Sequence, residues 1–130
     1  MLNKVDYWLE LADDDVITAR MLVEGKRHLH AGFFCHLIVE KALKAMIESV
    51  TSEPPPKIHD LAKLAERAGI SDELTDEQVQ LLKELNPLQI EALYPEYKER
   101  IASTLTNKIT ARLLVETEDF LCWIKQKLEK

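Results

Sequence analysis

The run F-F-C-H-L-I-V-E-K-A-L-K-A, Phe33 to Ala45, constrains the fold more than any other part of this chain. It is apolar at helical spacing yet carries His36, Glu40, Lys41 and Lys44 in its middle. At about 3.6 residues per turn, His36, Glu40 and Lys44 fall on a single line along the helix. Phe33, Leu37 and Ile47 share that side. The opposite half, formed by Phe34, Cys35, Ile38, Val39, Ala42, Leu43, Ala45 and Met46, is purely apolar and must face a core. Such a helix is buried on one side and chemically mixed on the other, as expected where charged groups approach a second subunit, a ligand or an active site.

The same periodicity extends to the rest of the chain. Val5, Trp8, Leu9, Ala12, Val16, Ala19 and Val23 predict a first helix from about Asn3 to Glu24, ended by Gly25. The charged segment belongs to a second helix, His30 to Val50, and Pro54, Pro55 and Pro56 force an extended connector after it. A short helix begins at His59 or Asp60, with Asp60 as its N-cap, and ends at Gly69. A fourth opens on Thr75 and Gln78 in capping-box spacing and breaks near Asn86 before Pro87. Tyr94, Pro95 and Tyr97 predict an irregular, aromatic-rich connection. The last helix starts near Thr104 or Thr106 and runs to about Leu128, with Ile109, Leu113, Glu116, Phe120, Trp123, Ile124 and Lys127 on one face. Three glycines in 130 residues and few β-branched runs fit an all-α protein. The expected architecture is an up-and-down bundle of three long and two shorter helices, forming one domain over residues 1–130.

A net charge of −6 argues against a protein that grips long nucleic acid through a broad basic surface. A local phosphate site is still compatible, and Arg27, His28 and His30 with Lys26 are the densest candidates; the alternative is cations at a helix C-terminus complementing its dipole. Asp13, Asp14 and Asp15 are expected to be a solvated turn, since no clustered partners accompany them as metal ligands. Cys35 and Cys122 are not spaced as a metal or redox pair and are expected to be buried, reduced thiols. No apolar run approaches the roughly 20 residues a membrane span needs, and Lys4, Asp6 and Glu10 are unlike a secretory signal, so a cytoplasmic protein without a membrane partner is expected.

Several side chains have both a chemical and a structural reading. Glu40, Lys41 and Lys44 suit a ligand or partner site, while Glu40 with Lys44 is also a favourable i, i+4 ion pair. His36 can contact phosphate or transfer protons, or can simply bond to a neighbour such as Glu40. Tyr94 and Tyr97 can stack on a base or seal the end of the bundle. No cofactor motif and no metal-ligand set is found.

Three signatures in order resemble the HEPN family of small helical domains, and the likeness spans nearly the whole chain. They are F-F-C-H-L-I-V-E-K-A-L-K-A at Phe33 to Ala45, I-H-D-L-A-K-L at Ile58 to Leu64, and Y-P-E-Y at Tyr94 to Tyr97. The resemblance implies a helical bundle that forms a homodimer and is often encoded beside a small nucleotidyltransferase, with which it acts as a toxin–antitoxin pair. Nucleotide binding and RNA cleavage are the activities it implies. In the cleaving members an Arg followed after four to six residues by a His forms a site across the dimer, His moving the proton and Arg meeting the phosphate. This chain has no Arg and His at that spacing. It also carries Leu93 where the family pattern has an Arg before the Tyr-Pro pair, and leucine cannot act as a planar phosphate fork. The expectation is therefore an accessory protein, partner of a nucleotidyltransferase in a toxin–antitoxin-type module, with nucleotide or RNA contact through Glu40, Lys41, Lys44, Tyr94 and Tyr97. The alternatives are a metal-independent ribonuclease using Arg27, His30 and His36, and a non-catalytic dimerisation scaffold.

Overall fold

The computed structural model describes residues 3–89 and 94–129. Within them the chain is helical: α1 Lys4–Glu24, α2 His28–Thr51, α3 Leu61–Arg67, a 3-10 turn Ser71–Glu73, α4 Asp76–Leu85, α5 Pro95–Ala102 and α6 Asn107–Leu128. Local chemistry accounts for most helix starts. The side chains of Asn3, Asp60, Thr75 and Thr106 each accept a bond from an otherwise orphaned N–H in the first turn, and Thr75 with Gln78 forms the reciprocal capping box. Gly69, at φ +75°, supplies the left-handed turn that ends the α3 segment.

The long helices α1, α2 and α6 build the core. Ala12, Val16 and Ala19 of α1 meet Ile38, Val39 and Leu43 of α2 and Leu113, Phe120 and Ile124 of α6, all buried. Each large apolar side chain among them contributes roughly 1.5–3 kcal/mol by leaving water. α1 and α2 form an antiparallel hairpin through a tight turn. α6 also opposes α1, since Asp13 pairs with Lys125 while Arg20 pairs with Glu118. It runs parallel to α2: His28 at the start of α2 lies 3.3 Å from the Thr110 hydroxyl near the start of α6. The segment from α3 to α5 therefore carries the chain back along the bundle before α6 begins, a crossover of the kind helical bundles tolerate. Gly32 permits the close approach of Leu88 and Leu105 to α2, since a Cβ there would lie 3.0 Å and 3.3 Å from their methyl groups.

The all-α bundle has the three long helices expected, with four local differences. Pro95 does not break regular structure but opens α5, because proline at the first helical position loses no hydrogen bond and already has helical φ. α2 starts two residues early, at His28, which brings Leu29 into the core. Cys35 is buried, and desolvation pushes its thiol up to about 11, but Cys122 is exposed on the outer face of α6. Finally, the buried stripe of α6 is centred on Thr110, Leu113, Thr117, Leu121 and Ile124. Thr110 is admitted to the interior because its hydroxyl donates to the Thr106 carbonyl at 3.0 Å. Glu116, expected on that face, instead bonds Arg112 at 3.1 Å.

Candidate functional site

The polar line of α2 is not an outer surface. His36, Glu40 and Lys44 are 1%, 5% and 7% exposed, covered by the connector that leads from the triproline run into α3 and by Trp8 of α1. The mixed side of the helix is thus desolvated within a single chain, without a second subunit. His36 Nε2–H donates to the His59 carbonyl at 3.0 Å. Glu40 receives the Lys44 ammonium at 2.8 Å and His59 Nδ1 at 3.1 Å and 3.2 Å, one contact to each carboxylate oxygen. An extended connector has few internal bonds of its own, so these side chains anchor it to the bundle.

His36 does not make the hydrogen bond to Glu40 expected from their spacing. Its Nδ1 is 3.4 Å from Glu40 Oε1 and has no hydrogen-bond partner. Burial lowers its pKa below the ordinary histidine value, against the opposing attraction of Glu40. A neutral ring with its proton on Nε2, toward the His59 carbonyl, presents a bare Nδ1 to the carboxylate, which instead spends its acceptor capacity on Lys44 and His59. The arrangement is an internal clamp with no face of the imidazole open to a substrate. His59 differs: its side chain is 53% exposed, so it links the clamp to the surface.

Lys44 lies at the boundary between this clamp and a cleft. Its Nζ sits 5.6 Å from the Trp8 ring centroid, a cation–π contact, and it lines an open cavity of about 470 Å³ together with Tyr7, Trp8 and the three prolines. Lys41, one turn away, points to α1 and bonds Asp15 at 2.5 Å. The acidic triplet therefore does more than solvate a turn: Asp13 and Asp15 pair with Lys125 and Lys41 on two different helices.

The remaining candidates are not part of this cluster. Arg27 and His30 are exposed where α1 turns into α2, while His36 is enclosed further along the helix, so the three do not converge. Tyr94 and Tyr97 lie at the start of α5, 53% and 41% exposed, with the Arg100 guanidinium 5.6 Å from the Tyr97 ring centroid. Leu93 lies outside the described residues. His59 is legible in the sequence only as a helix-start residue, Trp8 as a position on the apolar face of the first helix and Asp15 as part of a solvated acidic turn. Nothing in their spacing connects them to α2, because the contact is made by the hairpin.

The family model of the HEPN domain matches residues 5–128. Among solved structures, the crystal structure of an archaeal HEPN homologue superposes with a TM-score of 0.65 at 18% identity, covering 98% of this chain and 99% of that one. At that identity the likeness speaks for the fold. A search of curated proteins gives no match.

Proposed function

The chain belongs to the HEPN domain family, and from that premise we propose that it is a non-catalytic accessory protein that contacts nucleotide or RNA. In this reading it acts as a cytoplasmic homodimer beside a small nucleotidyltransferase, in a module of the toxin–antitoxin type. The observation that carries nucleic-acid contact is the α5 surface. Tyr94 and Tyr97 are exposed there, Arg100 stands over the Tyr97 ring, and Lys98 is exposed on the same short helix. Aromatic faces backed by cations stack bases without regard to sequence, and each stacked base is worth roughly 1–3 kcal/mol. Glu40 and Lys41 serve this reading indirectly, since Lys41 pairs α2 with Asp15 of α1 and Glu40 pairs it with His59 of the connector.

The lack of catalysis rests on two points. No Arg and His stand at the spacing used by the cleaving members, and the one deeply buried histidine is clamped by the His59 carbonyl. Within one protomer Arg27, His30 and His36 have no common face from which to act on one phosphate. Among the described residues no helix is long and apolar enough to cross a membrane.

Three measurements test the proposal. RNA incubated with the purified protein in EDTA should remain intact, and cleavage that disappears in His36→Gln and Arg27→Ala would overturn the non-catalytic reading. Fluorescence anisotropy of a labelled RNA oligonucleotide should show at least fivefold weaker binding for Tyr97→Ala; equal binding would remove α5 from the site. Size-exclusion chromatography with light scattering should give a dimer, and a larger complex with the product of an adjacent nucleotidyltransferase gene. A monomer indifferent to that product would refute the assembly.

A further inference from the structure

The cleft at Trp8 is distinct from the α5 surface and has the features of a small-molecule site. Its volume of about 470 Å³ falls within the roughly 300–1,000 Å³ typical of ligand pockets. One wall is aromatic, Trp8 and Tyr7, with their rings in edge contact at 6.0 Å. A second part of the lining is Pro54, Pro55 and Pro56, whose φ angles are fixed by their rings and whose connector is tied down by the His59–Glu40 bonds. Both parts therefore exist before any ligand arrives, so little ordering opposes binding.

The floor is charged and incompletely satisfied. Only 7% of Lys44 is exposed, and one of its three N–H groups is bonded to Glu40. Among the described residues it has no second hydrogen-bond acceptor, and the Trp8 ring centroid lies 5.6 Å from its Nζ. At the rim, Lys4 and Lys57 are exposed and make no ion pair with any described residue. Glu40 already balances the charge of Lys44, so Lys4 and Lys57 stand against the one carboxylate of the lining, Glu48, and the cleft keeps a net positive charge in a chain whose overall charge is −6. A positive, aromatic-walled pocket on an acidic protein selects for an anion with a flat apolar body.

We propose that this cleft binds a small molecule consisting of a planar aromatic ring and an anionic group, the ring lying against Trp8, Tyr7 and Pro55 and the anion received by Lys44 and Lys57. The anion is a carboxylate or a phosphate, which share the charge and acceptor geometry that ammonium groups recognise.

Trp8 reports on its own site. In a Trp123→Phe background it is the sole tryptophan, and its fluorescence is titrated with phenyl phosphate, benzoate, adenosine monophosphate, adenosine and inorganic phosphate. Saturable quenching by at least one of the three aromatic anions is expected, and the one that binds most tightly identifies the source. Adenosine and inorganic phosphate, each lacking one half of the chemistry, should bind at least tenfold more weakly. Tyr7→Ala and Lys57→Glu alter exposed side chains and should each weaken binding at least tenfold while leaving the far-UV circular dichroism unchanged. Absence of saturation with all three aromatic anions at millimolar concentration overturns the proposal. So does binding that is unaffected by both substitutions. RNA binding through α5 is measured independently of either result.

Discussion

Removing the charge of Glu40 is the most direct test of the internal clamp. The Glu40 and Lys44 side chains are 7% and 9% exposed, so their ionic bond lies almost wholly out of water. Breaking such a pair from one side costs roughly 3–5 kcal/mol, because the stranded charge keeps its desolvation penalty. Glu40→Gln retains an oxygen that still accepts one N–H, which places the expected loss near the low end, about 3 kcal/mol. For a domain of this length that corresponds to a fall in Tm of roughly 10 °C. The double variant Glu40→Leu with Lys44→Met removes both charges and keeps similar volume. Replacing a whole buried pair with apolar groups is often neutral, and His59 is exposed enough to exchange its Glu40 bond for water. The double variant should therefore lie within about 1 kcal/mol of the wild type, more stable than the single one despite carrying more changes. Urea unfolding followed by far-UV circular dichroism at pH 7.5, with matching slopes, reads both values. A Glu40→Gln protein within about 0.5 kcal/mol of wild type, below the usual cost of any lost buried partner, refutes the clamp. A double variant no better than the single one refutes the electrostatic account of it.

The same geometry makes stability depend on pH. Burial holds the His36 pKa below its ordinary value, so between that value and the lower folded one the unfolded chain binds a proton that the folded chain does not. Stability should then fall as pH drops below about 6.5, by up to about 1.4 kcal/mol per pH unit from this group. Urea unfolding at pH 7.5 and 5.5 should show that component missing in His36→Gln, whose amide can still donate to the His59 carbonyl; an unchanged pH dependence would sink the assignment. Asp60→Ala removes the acceptor for Ala62 N–H and Lys63 N–H and the contact with Asn86, and should cost roughly 1–2 kcal/mol in thermal or urea unfolding. Arg112→Ala, which breaks the exposed pairs with Glu84 and Glu116, should cost no more than about 1 kcal/mol.

Elements governed by neighbours in sequence are readable without the structure. The apolar period marks all three long helices, and Asn3, Asp60, Thr75 and Thr106 sit where caps belong, since a cap is a bond across two or three residues. α5 escapes such a reading because Tyr94 and Pro95 carry a loop signal as strong as a helix-start signal, and only the residues C-terminal to the proline separate the two. The α2 segment is identifiable as an apolar helix with His36, Glu40 and Lys44 in one line, and the ion pair along that line is present.

What covers the line is not legible. Whether a polar row faces water, a second subunit or its own chain depends on where the connector and α1 pass in space, and periodicity within one helix carries no information about that. The hairpin brings Trp8 over Lys44 and Asp15 to Lys41, and the triproline connector brings His59 to Glu40. The sequence by itself therefore determined the fold class, the long helices and the family, all of which rest on local pattern. Only the tertiary structure decided that the charged line is an internal clamp bordering a cleft, because desolvation is a property of what lies opposite a side chain and not of its neighbours in the chain.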